Sequence, residues 1–259
     1  MVKVVVCGAS GRMGQTIGRM VKESEDLELV GGIDLRPGTF FGADIVASQD
    51  IESLLKSKKP DVLIDFTVAQ AAVGNAKAAA KNNVALVIGT TGFTPEQRRE
   101  MAAAIEGHVP AVISSNFSVG VNIFWQLVRE AGKLLSDYDI EVIEAHHRNK
   151  KDAPSGTAKT ILQILDEEVG ARKKLYGREG MMERGNEIGV HVIRGGDIVG
   201  DHSVMFSKNF ETIELSHRAY DRSVFASGAL RAARWVAGKE PGIYGMNDVL
   251  GLVPKDPRA

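Results

Sequence analysis

The chain of 259 residues carries 32 Lys and Arg against 33 Asp and Glu, a net charge of −1, with 44% apolar and 25% charged side chains. That is the balance of an ordinary soluble globular protein with room for two modest domains, and the near-zero net charge excludes a global field that would draw in nucleic acid or an anionic membrane. The single Cys7 excludes an internal disulfide, the first apolar run is too short for a signal peptide, and no stretch approaches the ~20 apolar residues of a membrane span, so a cytoplasmic location with no membrane or nucleic-acid partner is expected.

Val2–Cys7 is β-branched and continuously apolar, the pattern of a strand buried on both faces. Gly8, Ala9, Ser10, Gly11, Arg12, Met13 and Gly14 follow, then a predicted helix over 15–23 with Ile17, Met20 and Val21 on one face. A second strand over 27–33 stops at Asp34. Next come a short helix at 51–56, a strand at 61–66, an alanine-rich helix at 69–82 and a strand at 85–88. A helix over 94–105, opened by Thr94-Pro95, and a strand at 111–113 complete the series. Strands alternating with helices at this spacing predict a parallel, doubly wound sheet.

The rhythm changes near Asn116. A long amphipathic helix over 119–135 leads to a strand at 139–144, a basic loop and a helix over 156–169. Residues 170–187 read as a mobile surface loop. Strands at 188–193, 203–207 and 211–217, separated by Gly, Asp or Asn turns, predict an α+β second domain. A last helix over 223–237 is placed to return to the first domain.

The three glycines spaced G-x-x-G-x-x-G lie between a buried strand and a helix, where backbone amides and a helix N-terminus can meet a pyrophosphate. Asp34, twenty residues beyond Gly14, is placed to accept hydrogen bonds from an adenosine ribose. Arg36 could neutralise a 2′-phosphate or simply be solvated, so the spacing leaves cofactor preference open. Gly89-Thr90-Thr91-Gly92 and Ser114-Ser115-Asn116-Phe117 each follow a predicted strand, at the carboxyl edge where ligands bind, though either could be plain loop chemistry.

The stretch EAHHRNKKDAPSGTA, residues 144–158, concentrates basic and titratable groups. His146 and His147 end a strand and point to opposite faces, so their roles should differ. Lys150 can share a pocket with them if the loop curls back. Ser155 suits an N-cap, and the amides of Gly156, Thr157 and Ala158 at a helix start suit a carboxylate or phosphate. No third His or carboxylate at ligand spacing and no cysteine pair accompanies them, so no metal is expected. Together these groups describe a pocket for a small anion with a general acid beside it.

The pattern E-A-H-H-x-x-K-x-D-x-P-S-G-T-A resembles the signature of the dihydrodipicolinate (4-hydroxy-tetrahydrodipicolinate) reductase family. GASGRMG, DFT at 65–67, GTTGF at 89–93, NFSVGVN at 116–122 and IELSHRAYDRSVFASGA at 213–229 are similar to family motifs in family order, so the resemblance covers nearly the whole chain; residues 170–185 match nothing in it. It implies a Rossmann-type doubly wound parallel sheet plus an α+β second domain with a mixed sheet. The implied boundaries are 1–117 with 227–259 for dinucleotide binding and 118–226 for substrate binding and oligomerisation.

The activity implied by the resemblance is reduction of 4-hydroxy-tetrahydrodipicolinate (dihydrodipicolinate) to tetrahydrodipicolinate in diaminopimelate and lysine biosynthesis, with NADH or NADPH. A hydride reaches a ring carbon conjugated to an imine, and a proton must reach the neighbouring carbon. By match to the motif, His146 is the proton donor and acceptor and Lys150 a second acid and anchor. His147, Ser155, Gly156 and Thr157 hold the cyclic dicarboxylate. Residues 8–13 take the pyrophosphate and Asp34 the ribose, while 89–91 and 114–117 line the nicotinamide side. The family also implies a homotetramer built through the second domain's sheet, and a pocket between the domains. Arg231 is left between a pocket role and a salt bridge, and His202 and His217 are taken as structural. Two other readings fit less well. One is a sugar or amino-acid dehydrogenase of the same build, but many sugar dehydrogenases of that type carry Glu-Lys-Pro where GTTGF stands; the other is a dinucleotide-sensing regulator, which would need a helix-turn-helix or a basic face.

Overall fold

A computed structural model describes residues 1–252; residues 253–259, the end of the expected first domain, lie outside the described residues. The chain divides into two compact units, Met1–Val119 with the segment from Ser223 onward, and Gly120–Arg222.

The first unit begins with β1 (Val2–Cys7), α1 (Arg12–Lys22), β2 (Leu27–Asp34), β3 (Gly38–Phe40), β4 (Ala43–Ala47), α2 (Ile51–Lys58) and β5 (Val62–Asp65). It continues through α3 (Ala69–Lys81), β6 (Ala85–Ile88), α4 (Pro95–Ile105) and β7 (Pro110–Ile113). Helix α1 starts at Arg12, three residues earlier than the apolar periodicity predicts, because Gly11 in extended backbone is its N-cap and the glycine loop itself supplies the first turn. The Thr94-Pro95 start of α4 is a full capping box, with Thr94 and Gln97 satisfying each other's backbone N–H. Strands β3 and β4 form an antiparallel hairpin that no sequence pattern announced. It docks through Phe40, whose ring fills the space left by the missing side chains of Gly18 and Gly32.

The second unit holds α5 (Val119–Leu134, starting at the boundary), β8 (Asp139–His146), α6 (Gly156–Val169), β9 (Lys174–Tyr176), β10 (Ile188–Arg194), β11 (Gly200–Lys208) and β12 (Glu211–Ala219). Its sheet runs β12-β11-β8-β10-β9. β8, β10 and β9 are parallel, while β11 is antiparallel to both β8 and β12, so the sheet is mixed. Ile140, Val142, Ile188, Val190, Val204 and Phe206 on one face pack against Phe124 and Val128 of α5 and Ile161 and Leu165 of α6. Each such fully buried aliphatic contributes about 1.5–3 kcal/mol. The expected mobile loop at 170–187 is corrected by β9, which pairs with β10. Charged pairing overrides the polar composition there: Arg184 binds Glu141 at 2.8 Å and Asp139 at 3.0 Å, Arg172 holds the carbonyl of Tyr138 at 3.1 Å, and Arg178 pairs with Glu187.

The chain then returns to the first unit through α7 (Ser223–Val236), β13 (Gly242–Tyr244) and α8 (Met246–Leu250). The completed sheet has the order β13-β7-β6-β5-β1-β2-β4-β3, parallel except for β3. Val4, Val6, Ile64, Val87 and Val112 face α1 and α7, and Val5, Cys7, Leu63, Leu86 and Ile88 face α2, α3 and α4. Burial on both faces explains why these strands are continuously apolar instead of alternating. Helix α7 comes close because Gly228 has no side chain; a Cβ there would stand 1.6 Å from the carbonyl oxygen of Phe117. Among the described residues no helix is long and apolar enough to cross a membrane.

Candidate active site

In the first unit, β1, β2, β5, β6 and β7 are parallel and end at one edge. Between β1 and β5 the chain order reverses, the place where open α/β sheets take ligands. Gly8 leaves β1 at φ +76°, a conformation costly for residues with a Cβ. Its N–H donates to the carbonyl of Ile33 at 2.9 Å. A Cβ on Gly14 would stand 2.0 Å from the carbonyl oxygen of Gly8, so only glycine lets the loop fold onto the first turn of α1. Ala9 is buried, Met13 half-buried, and Ser10, Gly11 and Arg12 are exposed. Asp34 fixes this loop: Oδ2 accepts from the N–H of Ser10 at 2.8 Å and Oδ1 from that of Leu35 at 2.7 Å. Arg36 is exposed in the turn before β3. The left-handed Gly8, the side-chain-free Gly14 and the start of α1 leave a cradle that fits a dinucleotide pyrophosphate.

The next two loops are built from inside. Asp65, 1% exposed at the end of β5, accepts from Thr67 N–H at 2.9 Å, Thr67 Oγ1 at 2.7 Å, Asn75 Nδ2 at 2.7 Å and Thr90 Oγ1 at 2.8 Å. Thr90 therefore turns its hydroxyl inward, and the surface at Gly89, Thr90 and Thr91 is backbone plus the exposed Thr91 side chain. Gly89 is close to the ring of Phe66, where a Cβ would stand 2.2 Å from it. After β7, Ser114 Oγ donates to the carbonyl of Asn116 at 2.8 Å, and Asn116 Oδ1 accepts from Ser118 N–H at 2.9 Å. Ser115 is exposed. Phe117 is 1% exposed, its ring 5.7 Å from that of Phe66, so its side chain belongs to the core and only its backbone is open to other partners.

In the second unit the core-facing positions of β8 run Ile140, Val142, Glu144, His146, so the same face changes from apolar to ionisable at the strand's end. On β11 the matching face runs Gly200, His202, Val204, Phe206, with His202 paired to Glu144 and, on its other side, to His217 of β12. Arg194 ends β10 opposite His146. Glu144 is fully buried and takes four donors: His146 Nδ1 at 2.6 Å, both terminal nitrogens of Arg194 at 2.9 Å, and the N–H of Ser155 at 2.9 Å. Burial alone would raise its carboxyl pKa, but the hydrogen bonds from His146, Arg194 and Ser155 outweigh it and hold the pKa at about 2. The His202 ring lies edge-on to that of His146 with centroids 5.1 Å apart. Burial, reinforced by His146, pushes the His202 pKa down to about 3, so His202 stays neutral.

His146, Glu144, Arg194, Ser155 and His202 thus form one cluster. His147 lies just past the strand and is half-buried. The loop does curl back, with Lys150 N–H donating to the carbonyl of His147 at 3.0 Å, while the Lys150 ammonium pairs with Asp152 at 2.9 Å. Ser155 is the N-cap of α6, as expected, and its Oγ accepts from Ala158 N–H at 3.2 Å, so the amide of Ala158 is occupied and not open to a ligand. The Ser155 hydroxyl is itself enclosed, 1% exposed and 3.3 Å from His202 Nε2. Gly156 is exposed at the helix start and Thr157 half-exposed. The sequence alone gives Glu144 and Arg194 no role, and His202 was expected to be structural. The period-two continuation of a core face into Glu144 and His146 was the available signal for the first; the other two depend on strand pairing.

Residues 2–117 match the family of the dihydrodipicolinate reductase N-terminus, and residues 120–250 match that of the dihydrodipicolinate reductase C-terminus. The second match includes α7, β13 and α8, which pack in the first unit. The chain is 86% identical over 252 residues to a 4-hydroxy-tetrahydrodipicolinate reductase of Methanoregula boonei, covering 97% of this chain and 99% of the relative. It is 73% identical over 252 residues to the one of Methanoculleus marisnigri, covering 97% and 100%. Its fold is similar to a dipicolinate-bound dihydrodipicolinate reductase from Paenisporosarcina sp. TG-14, with a TM-score of 0.78, 28% identity, and coverage of 95% of this chain and 97% of that one. The chain belongs to the dihydrodipicolinate reductase family.

Proposed function

We propose that this chain catalyses the reduction of 4-hydroxy-tetrahydrodipicolinate to tetrahydrodipicolinate in diaminopimelate and lysine biosynthesis, the hydroxyl leaving as water to give dihydrodipicolinate before hydride and proton add, with His146 as the proton donor. The observation that carries the reading is the buried Glu144–His146 pair at the end of β8, in a chain of this family, beside the N-terminus of α6.

Bound NADH or NADPH supplies the hydride. Residues 8–13 hold the pyrophosphate through the first amides of α1, since the N–H groups of Gly8, Ala9, Ser10 and Gly11 are already bonded within the loop and to β2, and Asp34 and Arg36 meet the adenosine ribose. Residues 89–91 and 114–117 flank the nicotinamide, Thr90 and Phe117 through backbone since their side chains face inward. The cyclic dicarboxylate sits with one carboxylate on the amides of Gly156 and Thr157, where the helix start favours an anion. Lys150 exchanges Asp152 for substrate, and His147 adds a further donor. Ser155 acts mainly by capping α6 and tying it to Glu144. His146 then gives its proton to the carbon next to the reduced one.

A homotetramer joined through the second unit's sheet is the assembly we favour, since β12 leaves an open edge with Ile213 42% exposed. Cytoplasm is the location we favour, in keeping with the buried free thiol of Cys7. The direct test is optical loss of NADPH, and separately of NADH, in the presence of substrate made by the preceding synthase. Substrate-dependent oxidation supports the reading; no oxidation of either cofactor by the folded protein sinks it.

A further inference from the structure

We propose that Glu144 is the positioning residue of the acid: it keeps the proton of His146 on Nδ1, so that Nε2 is the atom that gives up and regains the transferred proton. This rests on the reading of His146 as proton donor. The geometry requires the assignment. An ionised carboxylate only accepts hydrogen bonds, so the ring nitrogen 2.6 Å from Glu144 Oε2 must donate to it. Nδ1–H is therefore held in the neutral ring, and Nε2 is left with a lone pair.

The rest of the cluster serves this arrangement. Arg194 spans both oxygens of Glu144 and also binds the carbonyl oxygens of Lys150 at 3.3 Å and Asp152 at 2.5 Å. Ser155 N–H occupies Oε1. The carboxylate is saturated and cannot rotate away from His146 without breaking bonds to the loop and to α6. On the other side of the ring, Nε2 lies next to Gly200, which carries no Cβ to crowd it.

Glu144→Gln separates positioning from mere support. Glutamine keeps the shape but offers one acceptor and one NH2. If its oxygen faced His146, its NH2 would confront both Ser155 N–H and an Arg194 nitrogen. The NH2 therefore faces His146 and donates to Nδ1, which drives the neutral ring to the Nε2–H tautomer and disfavours the doubly protonated acid. Arg194→Gln loosens the loop but leaves Nδ1–H on Glu144.

The test is ring 15N NMR of histidine-labelled protein at alkaline pH, with steady-state kinetics. The expected result is an Nδ1–H tautomer for His146 in the wild type and in Arg194→Gln, and an Nε2–H tautomer in Glu144→Gln. Glu144→Gln should lose about 10²-fold in kcat, the scale of general-acid loss, with little change in NADPH affinity; Arg194→Gln should act mainly on substrate KM. An Nε2–H tautomer in the wild type overturns the proposal, a measurement that holds even if a variant does not fold. So does an unchanged tautomer, or kcat within about threefold of wild type, in Glu144→Gln. The tautomer is read without substrate, so an inactive wild type would count against the proposed function and not against this assignment.

Discussion

Gly200 of β11 lies against the His146 ring: a Cβ added there would stand 3.1 Å from Nε2. That contact is tighter than an ordinary van der Waals approach, so the ring must move by a few tenths of an ångström, yet the Glu144 bond to Nδ1 resists the movement. Gly200→Ala is expected to lower kcat about 10-fold, because misplacement by 1 Å can cost ~10²-fold. NADPH affinity should not change. Wild-type kcat in this variant would show that Nε2 does not face the reacting atom.

Acid should destabilise the second unit in two windows. His202 titrates at about 3 in the folded chain against an ordinary 6.5, so below 6.5 the unfolded chain takes up a proton that the folded one refuses, and stability falls as pH drops from 6.5 toward 3. Glu144 titrates at about 2 against 4.5, so its contribution is complete above 4.5 and is lost as pH falls toward 2. Each group accounts for about 1.4 kcal/mol per pH unit within its window. His202→Asn should flatten the dependence between pH 6 and pH 4 by about 1 kcal/mol per unit, measured by urea unfolding. An undiminished slope would mean that His202 protonates readily in the folded protein.

The cofactor residues give a third expectation. Asp34 holds Ser10 of the glycine loop besides being the residue we propose for the ribose, so its loss should loosen the site for both nicotinamides. Asp34→Ala should weaken NADH and NADPH alike in the loop-dependent part, with a further loss for NADH, whose 2′-hydroxyl it would accept from. Arg36→Ala should weaken NADPH selectively, by about 1–3 kcal/mol, the size of a hydrogen bond to a charged group. The measurement is kcat/KM for both cofactors at one ionic strength, since phosphate contacts are screened. Equal losses in Arg36→Ala would remove Arg36 as the reader of the 2′ position.

The parts of this protein legible in the sequence are those governed by local pattern. Val2–Cys7 and the other doubly buried strands announce themselves by continuous apolar residues, and the α4 start by Thr94 and Pro95. The β3–β4 hairpin did not, because its docking depends on Phe40 meeting two distant glycines, Gly18 and Gly32. Strand β9 was hidden for a similar reason: only pairing with β10 and the arginine contacts of its flanks order a polar segment. The same limit applies at the candidate site. His146, Lys150 and Ser155 lie in one short motif and can be read together. Arg194 and His202 reach Glu144 and Ser155 only through the β8–β10 and β8–β11 registers, which no local spacing encodes.

Whether His146 donates the proton in reduction of the cyclic dicarboxylate is read most directly from kcat of His146→Gln with saturating NADPH and substrate, alongside NADPH affinity by titration. Expected is a fall in kcat of ~10²-fold or more, the range of general-acid loss, with cofactor affinity unchanged because His146 lies in the second unit and the glycine loop in the first. Turnover close to that of the wild type would contradict it.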